Sequence, residues 1–295
     1  MTAANANSPD IARLIISCPD QHGIVAAVSE VIAELGGNII SLDQYSTGVE
    51  GGRFFQRTVF HLPGLAETKP RVEETIERQL ARRFSMEWSL TDAARPKKVA
   101  IFASKTDHCL LDLLWRHRRG ELPMEIAMVI SNHRDLEEDV RTFGIPYVHV
   151  PVVDGDKAGA EARHLELLGE AGAAGVDLIV LARYMQIISE DFLERVGVPV
   201  INIHHSFLPA FIGAGPYQKA KERGVKLIGA TAHYVTKDLD EGPIIEQDVI
   251  RVSHADDVAQ LTRYGADVER AVLSRAVKWH CEDRVIRHGN TTIVF

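Results

Sequence analysis

Beyond residue 97, short apolar segments alternate with segments of helical periodicity, and this alternation restricts the fold more than any other feature of the 295-residue chain. Runs such as Val176–Ala182 and Pro199–Ile203 are apolar at nearly every position, which is typical of strands buried on both faces of a sheet. Amphipathic segments lie beside them, for example Gly159–Ala173 and Glu190–Val196. Strands joined by helices in this way predict a doubly wound, mostly parallel α/β sheet with both faces covered.

The chain before residue 96 has a different order of shorter elements. Two segments, Gly23–Leu35 and Glu67–Phe84, show the helical spacing of apolar residues. Alternating, β-branched segments predict four strands, at Ile11–Ser17, Asn38–Tyr45, Arg53–Leu62 and Ser85–Leu90. The resulting order βαββαβ is typical of a ferredoxin-like domain.

The segment Ser89–Lys98 is polar and contains Pro96, so it is interpreted as the linker between two domains. The domains are then predicted at residues 1–92 and 97–295. The second domain is expected to end with two strands, Gly229–Tyr234 and Gly242–Val252, and the long helix Asp256–Glu282.

Charge and cysteine content restrict the partners. Formal net charge is −8, because 41 acidic residues outnumber 33 basic ones, and binding to nucleic acid normally needs a basic surplus. No apolar run approaches the roughly 20 residues that a membrane span needs, so no membrane partner is expected. The three cysteines lack metal-binding spacing, and Met1–Pro9 lacks the pattern of a signal peptide. These features predict a cytoplasmic enzyme that acts on small metabolites.

A first pair of polar residues ends a predicted apolar strand. Asn202 and His204 alternate, so both side chains are expected on one face of the strand, while His205 is expected to point the other way. Ligands of open α/β sheets bind beyond the carboxyl ends of strands. An amide and an imidazole at that place can hold a developing oxyanion, although a histidine at a strand end is often only a solvated loop residue.

A second group of polar residues follows the next strand. His233 ends that strand, and Asp240 lies in a turn-rich loop that Gly242 and Pro243 restrain. A carboxylate beside an imidazole makes an acid–base pair, so these residues are candidates for proton transfer. An aspartate before Glu-Gly-Pro is also a common turn residue, and the pattern alone leaves both interpretations open.

These two motifs together resemble the folate-dependent formyltransferase family. The resemblance rests on Asn202-Ile203-His204-x-Ser206-x-Leu208-Pro209 and on His233-x6-Asp240-x-Gly242-Pro243-Ile244-Ile245-x-Gln247. It implies that Asn202, His204 and Asp240 are the catalytic residues and that the substrate is a 10-formyltetrahydrofolate. It implies no permanently bound cofactor and no metal. The folate pocket is expected to include Met185, Gln186, Ile187, Ile188, His233, Val235 and Leu239.

The first domain resembles an ACT domain. Cys18-Pro19-Asp20-Gln21-His22-Gly23-Ile24-Val25 and Gly36-Gly37-Asn38-Ile39 carry this resemblance. It implies a homo-oligomer, a dimer or tetramer, paired through sheets. It also implies one of two roles: binding of an amino-acid effector at Asp20, Gly23 and Asn38, where backbone amides at a helix start suit a carboxylate, or assembly alone.

The combination of both domains resembles the formyltetrahydrofolate deformylases, which implies hydrolysis to formate and tetrahydrofolate and a supply of formate for purine biosynthesis. One departure from the transferases favours hydrolysis. The segment Ser104–Leu110 follows the first strand of the second domain and has no glycine, so its backbone cannot approach a phosphate closely. Asp107 would also repel a phosphate, whereas Lys105 could contact one.

Three other functions remain open from the residues alone. One is a formyltransferase with an amine acceptor such as glycinamide ribonucleotide. Another is a metallohydrolase that uses His204, His233 and Asp240 as ligands. The third is a non-catalytic amino-acid sensor built on the ACT-like domain. The acidic charge balance argues against a transfer-RNA substrate.

Overall fold

The structure is a computed structural model that describes residues 9–48, 50–170, 175–210 and 215–295. Its contacts divide the chain into two compact units. The N-terminal unit comprises Met1–Pro96, Glu282–Ile286 and Ile293–Phe295, and the C-terminal unit comprises Lys97–Cys281 and Arg287–Thr292. No helix among the described residues is long and apolar enough to cross a membrane.

The N-terminal unit has the predicted βαββαβ order. Its four strands form an antiparallel sheet in the order β2-β3-β1-β4, which is the ferredoxin-like arrangement. The elements are β1 (Ile11–Pro19), α1 (Ile24–Glu34), β2 (Asn38–Ser46), β3 (Arg53–His61), α2 (Leu65–Ile76), a π-helical turn (Glu77–Ala81), α3 (Arg82–Phe84) and β4 (Glu87–Asp92).

The core of this unit follows the two periodicities that the sequence shows. In β1 the even-numbered residues from Ala12 to Cys18 are buried in the apolar core, because successive side chains alternate between the faces of a strand. Arg13, on the opposite face, pairs with Asp283 at 3.3 Å. In α1 the buried residues lie at helical spacing, namely Ile24, Ala27, Val28, Val31 and Ile32.

Two predictions for this unit were wrong in detail. The helix predicted at Glu67–Phe84 is interrupted by the π-helical turn, whose wider winding a pattern of apolar residues does not reveal. The predicted linker Ser89–Lys98 overlaps β4 and the next strand, so the connection is only 93–96. β4 is an edge strand, and edge strands tolerate polar residues because one side is unpaired.

The C-terminal unit contains the predicted doubly wound sheet. Its seven strands lie in the order β11-β10-β9-β8-β5-β6-β7, parallel from β9 to β7 and antiparallel at β10. The elements are β5 (Lys97–Ala103), α4 (His108–Arg118), β6 (Met124–Ser131), α5 (Glu137–Thr142), β7 (Tyr147–His149), α6 (Lys157–Glu170), β8 (Leu178–Ala182), α7 (Glu190–Val196), β9 (Val200–His204), α8 (Pro216–Arg223), β10 (Leu227–Tyr234), β11 (Ile244–Arg251) and α9 (Val258–Cys281).

Several elements differ from the predictions. The helix predicted at Gly159–Ala173 begins at Lys157, and residues 171–173 lie outside the described part of the chain. Helices α5 and α8 were not predicted, because both are short and mostly polar. The hairpin of β12 (Val285–His288) and β13 (Thr291–Val294) was also not predicted.

The strand register brings the two chemical motifs together. β10 runs antiparallel to β9, so that Asn202 lies opposite His233 and His204 lies opposite Thr231. Residues directly opposite each other in an antiparallel pair have neighbouring side chains. The carboxyl end of β9 therefore lies beside the strand that leads into the loop with Asp240.

Candidate active site

Asp240 lies between two imidazoles. The Nδ1 atom of His204 is 3.2 Å from Oδ2 of Asp240, and the Nε2 atom of His233 is 3.6 Å from Oδ1. Hydrogen bonds from His204 and then from His233 hold the pKa of Asp240 far below its ordinary value, although burial acts to raise it. The carboxyl group is therefore an anion at any pH at which the protein works.

His204 keeps one nitrogen for a ligand. Its side chain is buried, Nδ1 faces Asp240, and Nε2 is buried without a hydrogen-bond partner among the described residues. An unsatisfied buried donor is costly, so a group that fills its hydrogen bond binds favourably. The predicted orientation of His204 and Asn202 on one face agrees with this geometry, since both line the same cavity.

His233 orients the amide of Asn202. Its Nδ1 lies 3.0 Å from the carbonyl oxygen of Tyr234, which can only accept, so this nitrogen donates. In the neutral ring Nε2 then accepts from Nδ2 of Asn202, 3.3 Å away, whereas only the protonated ring donates from Nε2 to Oδ1 of Asp240, 3.6 Å away. The amide is thereby held with its second N–H available to the cavity.

The loop that carries Asp240 is restrained at two positions. Asp240 has a left-handed backbone with φ 58°, which aspartate and asparagine adopt more readily than most residues. A Cβ atom on Gly242 would collide with the carbonyl oxygen of Tyr234, so only glycine fits there. The amide of Tyr234 also donates to the carbonyl of Pro243 at 2.9 Å. These contacts set the position of the carboxylate.

Asn202, His204 and Asp240 line a cavity of about 440 Å³. All seven residues predicted for the folate pocket also line it, namely Met185, Gln186, Ile187, Ile188, His233, Val235 and Leu239. Three of these apolar side chains are exposed although they face a pocket: Met185 by 59%, Ile187 by 58% and Leu239 by 59%. Such exposure is typical of a surface that a flat apolar ligand covers.

The segment Ser104–Leu110 has a role that the sequence analysis missed. The hydroxyl of Ser104 donates to Oδ1 of Asn132 at 2.8 Å and accepts from the backbone amide of Met185 at 3.0 Å. The segment thus positions part of the cavity wall. His108 and Cys109 begin helix α4, where Cys109 is buried and His108 is partly buried.

A buried polar cluster adjoins the cavity, and the sequence analysis did not predict it. Glu269 of α9 accepts from the hydroxyl of Tyr217 at 2.6 Å and pairs with Nε2 of His108 at 2.8 Å. Nε of Arg183 lies 3.5 Å from the same carboxylate. Arg183 and His205 both line the cavity, so the prediction that His205 points away from the site was wrong.

One group in this cluster has the composition of a metal site. Within the described part of the chain, only His108, Cys109 and Glu269 bring at least three ligand atoms within 4.8 Å of one another. Burial raises the pKa of the Cys109 thiol well above its ordinary value, and metals bind the thiolate. Glu269 is already held by hydrogen bonds, so this set fits an internal network better than a metal site.

A second cavity, of about 590 Å³, lies in the N-terminal unit. Asp20 and Gly23 line it, as predicted for effector residues, whereas Asn38 does not and begins β2 as an exposed residue. Asp20 accepts a hydrogen bond of 2.5 Å from the hydroxyl of Ser46, across the cavity wall. The cavity therefore begins at the loop before α1, where free backbone amides suit an anionic group.

Comparisons with known proteins agree with this architecture. Residues 97–277 match the formyl transferase family, and residues 12–77 match the ACT domain family. The chain is 61% identical over 286 residues to the formyltetrahydrofolate deformylase of Mycobacterium bovis. The aligned part makes up 97% of this chain and 91% of that protein. The resemblance to both families that the sequence motifs indicated is confirmed.

Solved structures separate two branches of this fold. A crystal structure of a formyltetrahydrofolate deformylase from Pseudomonas syringae has a TM-score of 0.90 and 48% identity, and covers 97% of this chain and 94% of that one. Glycinamide ribonucleotide transformylase 1 from Symbiobacterium toebii has a TM-score of 0.63 and 31% identity. The superposition covers 68% of this chain and 94% of the transformylase, so about a third of this chain has no counterpart in that structure.

Proposed function

We propose that this chain, which belongs to the formyltetrahydrofolate deformylase family, hydrolyses 10-formyltetrahydrofolate to formate and tetrahydrofolate. One observation carries the proposal for the site: Nε2 of His204 is a buried nitrogen without a hydrogen-bond partner in the described part of the chain, and His204 lines the same cavity as Asn202 and Asp240. A formyl oxygen placed there would receive hydrogen bonds from an amide and an imidazole together.

The substrate binds along the apolar part of the cavity. The pterin ring is flat and carries its polar groups on its edge, so its faces would cover Met185, Ile187 and Leu239, which are exposed in the structure. Backbone groups of the segment 185–188 supply hydrogen bonds to the ring edge. This arrangement directs the formyl group towards Asn202 and His204 at the polar end.

Water adds to the formyl carbon, and the carbonyl oxygen becomes an oxyanion. Nδ2 of Asn202 and Nε2–H of His204 donate to that oxygen and stabilise its charge. Asp240 remains ionised, accepts from Nδ1 of His204 and positions the attacking water. One proton of the water reaches N10 as the C–N bond breaks, and the products are tetrahydrofolate, formate and one proton.

The proposed acceptor is water, because the segment Ser104–Leu110 lacks the features that let a backbone loop approach a phosphate closely, which argues against a phosphate-bearing amine. It has no glycine, and the Ser104 hydroxyl is bound to Asn132 and to the backbone of Met185. The test is an assay of formate released from 10-formyltetrahydrofolate alone, repeated with glycinamide ribonucleotide present. Formate without an acceptor supports hydrolysis, whereas formylation of the added amine with no formate would identify a transferase.

We assign the chemistry to residues 97–295 and regulation or assembly to residues 1–92. The cavity beside Asp20 and Gly23 supports an amino-acid effector, and the exposed edge strand β2 supports pairing of chains into a dimer or tetramer. The three cysteines are buried and reduced, which supports a cytoplasmic location. The formate would then serve purine biosynthesis. Deformylation measured against a panel of amino acids tests the effector.

A further inference from the structure

Arg183 is a largely buried cation, and the described residues accept almost none of its hydrogen bonds. It follows β8, lines the catalytic cavity and has a side chain that is only 14% exposed. Oε2 of Glu269 lies 3.5 Å from Nε, and Nε is buried without a hydrogen-bond partner among the described residues. A guanidinium carries several N–H donors in a fixed fork, so most donors of Arg183 remain available to a ligand.

Glu269 balances the charge of Arg183 but does not accept a hydrogen bond from Nε of its guanidinium. The carboxylate already accepts from Tyr217 at 2.6 Å and contacts His108 at 2.8 Å. Burial alone would raise the pKa of Glu269, but these hydrogen bonds and the charge of Arg183 together hold it below its ordinary value. Glu269 is therefore ionised and compensates a buried guanidinium, which leaves the fork of Arg183 available to a second anion.

Arg183 is a permanent cation in the lining of the cavity and is much less exposed than Lys237. Burial, and then the charges of Arg183 and His204, lower the pKa of His205 to about 4, so that this imidazole is neutral at pH 7. Lys237 also lines the cavity, but its side chain is 62% exposed and lies 3.7 Å from Glu190. Asp240 is engaged by two imidazoles. A carboxylate released in this cavity therefore finds unused donors on Arg183.

The backbone of Arg183 has an uncommon conformation for an arginine. Its φ is 62°, in the left-handed region where residues other than glycine, asparagine and aspartate are uncommon. A long charged side chain held in that conformation beside reacting groups is a feature of functional sites. The left-handed backbone aims the side chain into the cluster that adjoins the catalytic cavity.

We propose that Arg183 is a subsite for the carboxylate product, formate. This inference rests on the proposed hydrolysis, in which a neutral formyl group becomes an anion within the same cavity. Arginine binds carboxylates through two parallel N–H···O bonds, a geometry that a lysine cannot reproduce. The subsite therefore takes small monocarboxylates, with formate as the fitting size, and makes no strong interaction with the neutral formyl group of the substrate.

The direct test is a titration of the resting enzyme with ¹³C-labelled formate, followed by NMR line broadening. The variant Arg183→Gly removes the guanidinium and suits a positive φ, and Arg183→Lys keeps the charge but not the fork. Formate affinity is expected to fall about 10-fold to 100-fold in Arg183→Gly and less in Arg183→Lys. Lys237→Gln, which removes a cation at the cavity mouth, is the matched control and should change formate affinity less than about twofold.

Steady-state kinetics give an independent readout. The inhibition constant of formate should rise with the loss of binding in Arg183→Gly, while KM for 10-formyltetrahydrofolate changes much less. Equal formate affinity in the wild type, Arg183→Gly and Arg183→Lys, or no binding to the wild type, would overturn the subsite. Absence of hydrolysis would instead overturn the proposed function, and the formate titration would still decide the role of Arg183. If Arg183→Gly does not fold, Arg183→Lys decides alone.

Discussion

Nδ1 of His204 lies 3.2 Å from Oδ2 of Asp240, and this contact determines which imidazole nitrogen is left for the substrate. Nε2 is consequently the nitrogen left for a ligand, and it is buried without a hydrogen-bond partner among the described residues. The carboxylate thus sets the orientation of the imidazole that donates to the oxyanion. Loss of either group should affect the chemical step more than substrate binding.

Asp240→Asn should lower kcat for deformylation by about 10²-fold to 10⁴-fold, because an amide cannot replace the carboxylate beside two imidazoles. Asparagine tolerates the left-handed backbone at φ 58°, so the loop should keep its shape. Formate release under saturating substrate measures the effect. Asp238→Asn, a change of an exposed carboxylate in the same loop, is the control and should leave kcat within about twofold. Near-normal turnover by Asp240→Asn would contradict the assignment.

Asn202→Ala should lower kcat by about 10²-fold to 10³-fold, since one of the two donors to the oxyanion is lost. KM should change less, because the carbonyl oxygen of the substrate carries less charge than the oxyanion. Separate measurement of kcat and KM tests this. A proportional rise of KM with kcat unchanged would show that Asn202 only binds the ground state.

Gly265→Ala should lower the free energy of unfolding by about 1–3 kcal/mol, because the hydroxyl of Tyr217 occupies the space of the added Cβ. The hydrogen bond from Tyr217 to Glu269 should be lost with it. Alanine is otherwise the better helix former, so the sign of the change is informative. Gly169→Ala in α6, where the added Cβ meets nothing, is the matched control for urea denaturation. Equal stability of the two variants would refute the close contact.

His164 should make the protein sensitive to mild acid. It is 1% exposed, neither ring nitrogen has a hydrogen-bond partner in the described structure, and burial lowers its pKa from 6.5 to about 4. The unfolded chain therefore binds a proton more readily below pH 6.5. The stability that the neutral ring provides is complete above that pH and is lost as pH falls towards 4.

His164→Leu should therefore reduce the loss of unfolding free energy between pH 7 and pH 5 by about 1–2 kcal/mol. His205, whose pKa is also lowered to about 4, remains in the variant and retains part of the sensitivity. Urea denaturation at the two pH values measures the difference. His254→Leu, at an exposed position, should leave the pH dependence as in the wild type. The same dependence in His164→Leu would show that this ring does not titrate as inferred.

The apolar strands, which alternate with helices, and the catalytic motifs could be predicted from the sequence because both are local patterns. Glu190–Val196 was predicted with its observed bounds, since Ser189 caps the helix and apolar residues follow at helical spacing. Asn202 and His204 lie on one strand and Asp240 follows the next, so the sheet alone brings them together. Their roles came from the family resemblance rather than from the spacing.

The Glu269 cluster was missed because its members lie far apart in the chain. One signal was present: Glu269 stands on the apolar face of α9, between the buried Gly265 and Val272. A charged residue at such a position requires a buried partner. The partner Arg183 could not be identified, because nothing local in the sequence reveals its left-handed backbone.

The most direct test of water as the acceptor is deformylation of 10-formyltetrahydrofolate in ¹⁸O-labelled water, without any amine. Hydrolysis by water predicts one ¹⁸O atom in each formate, tetrahydrofolate in equal amount, and loss of both products in Asp240→Asn. Formate without label, or transfer of the formyl group to an added amine in place of formate, would contradict it.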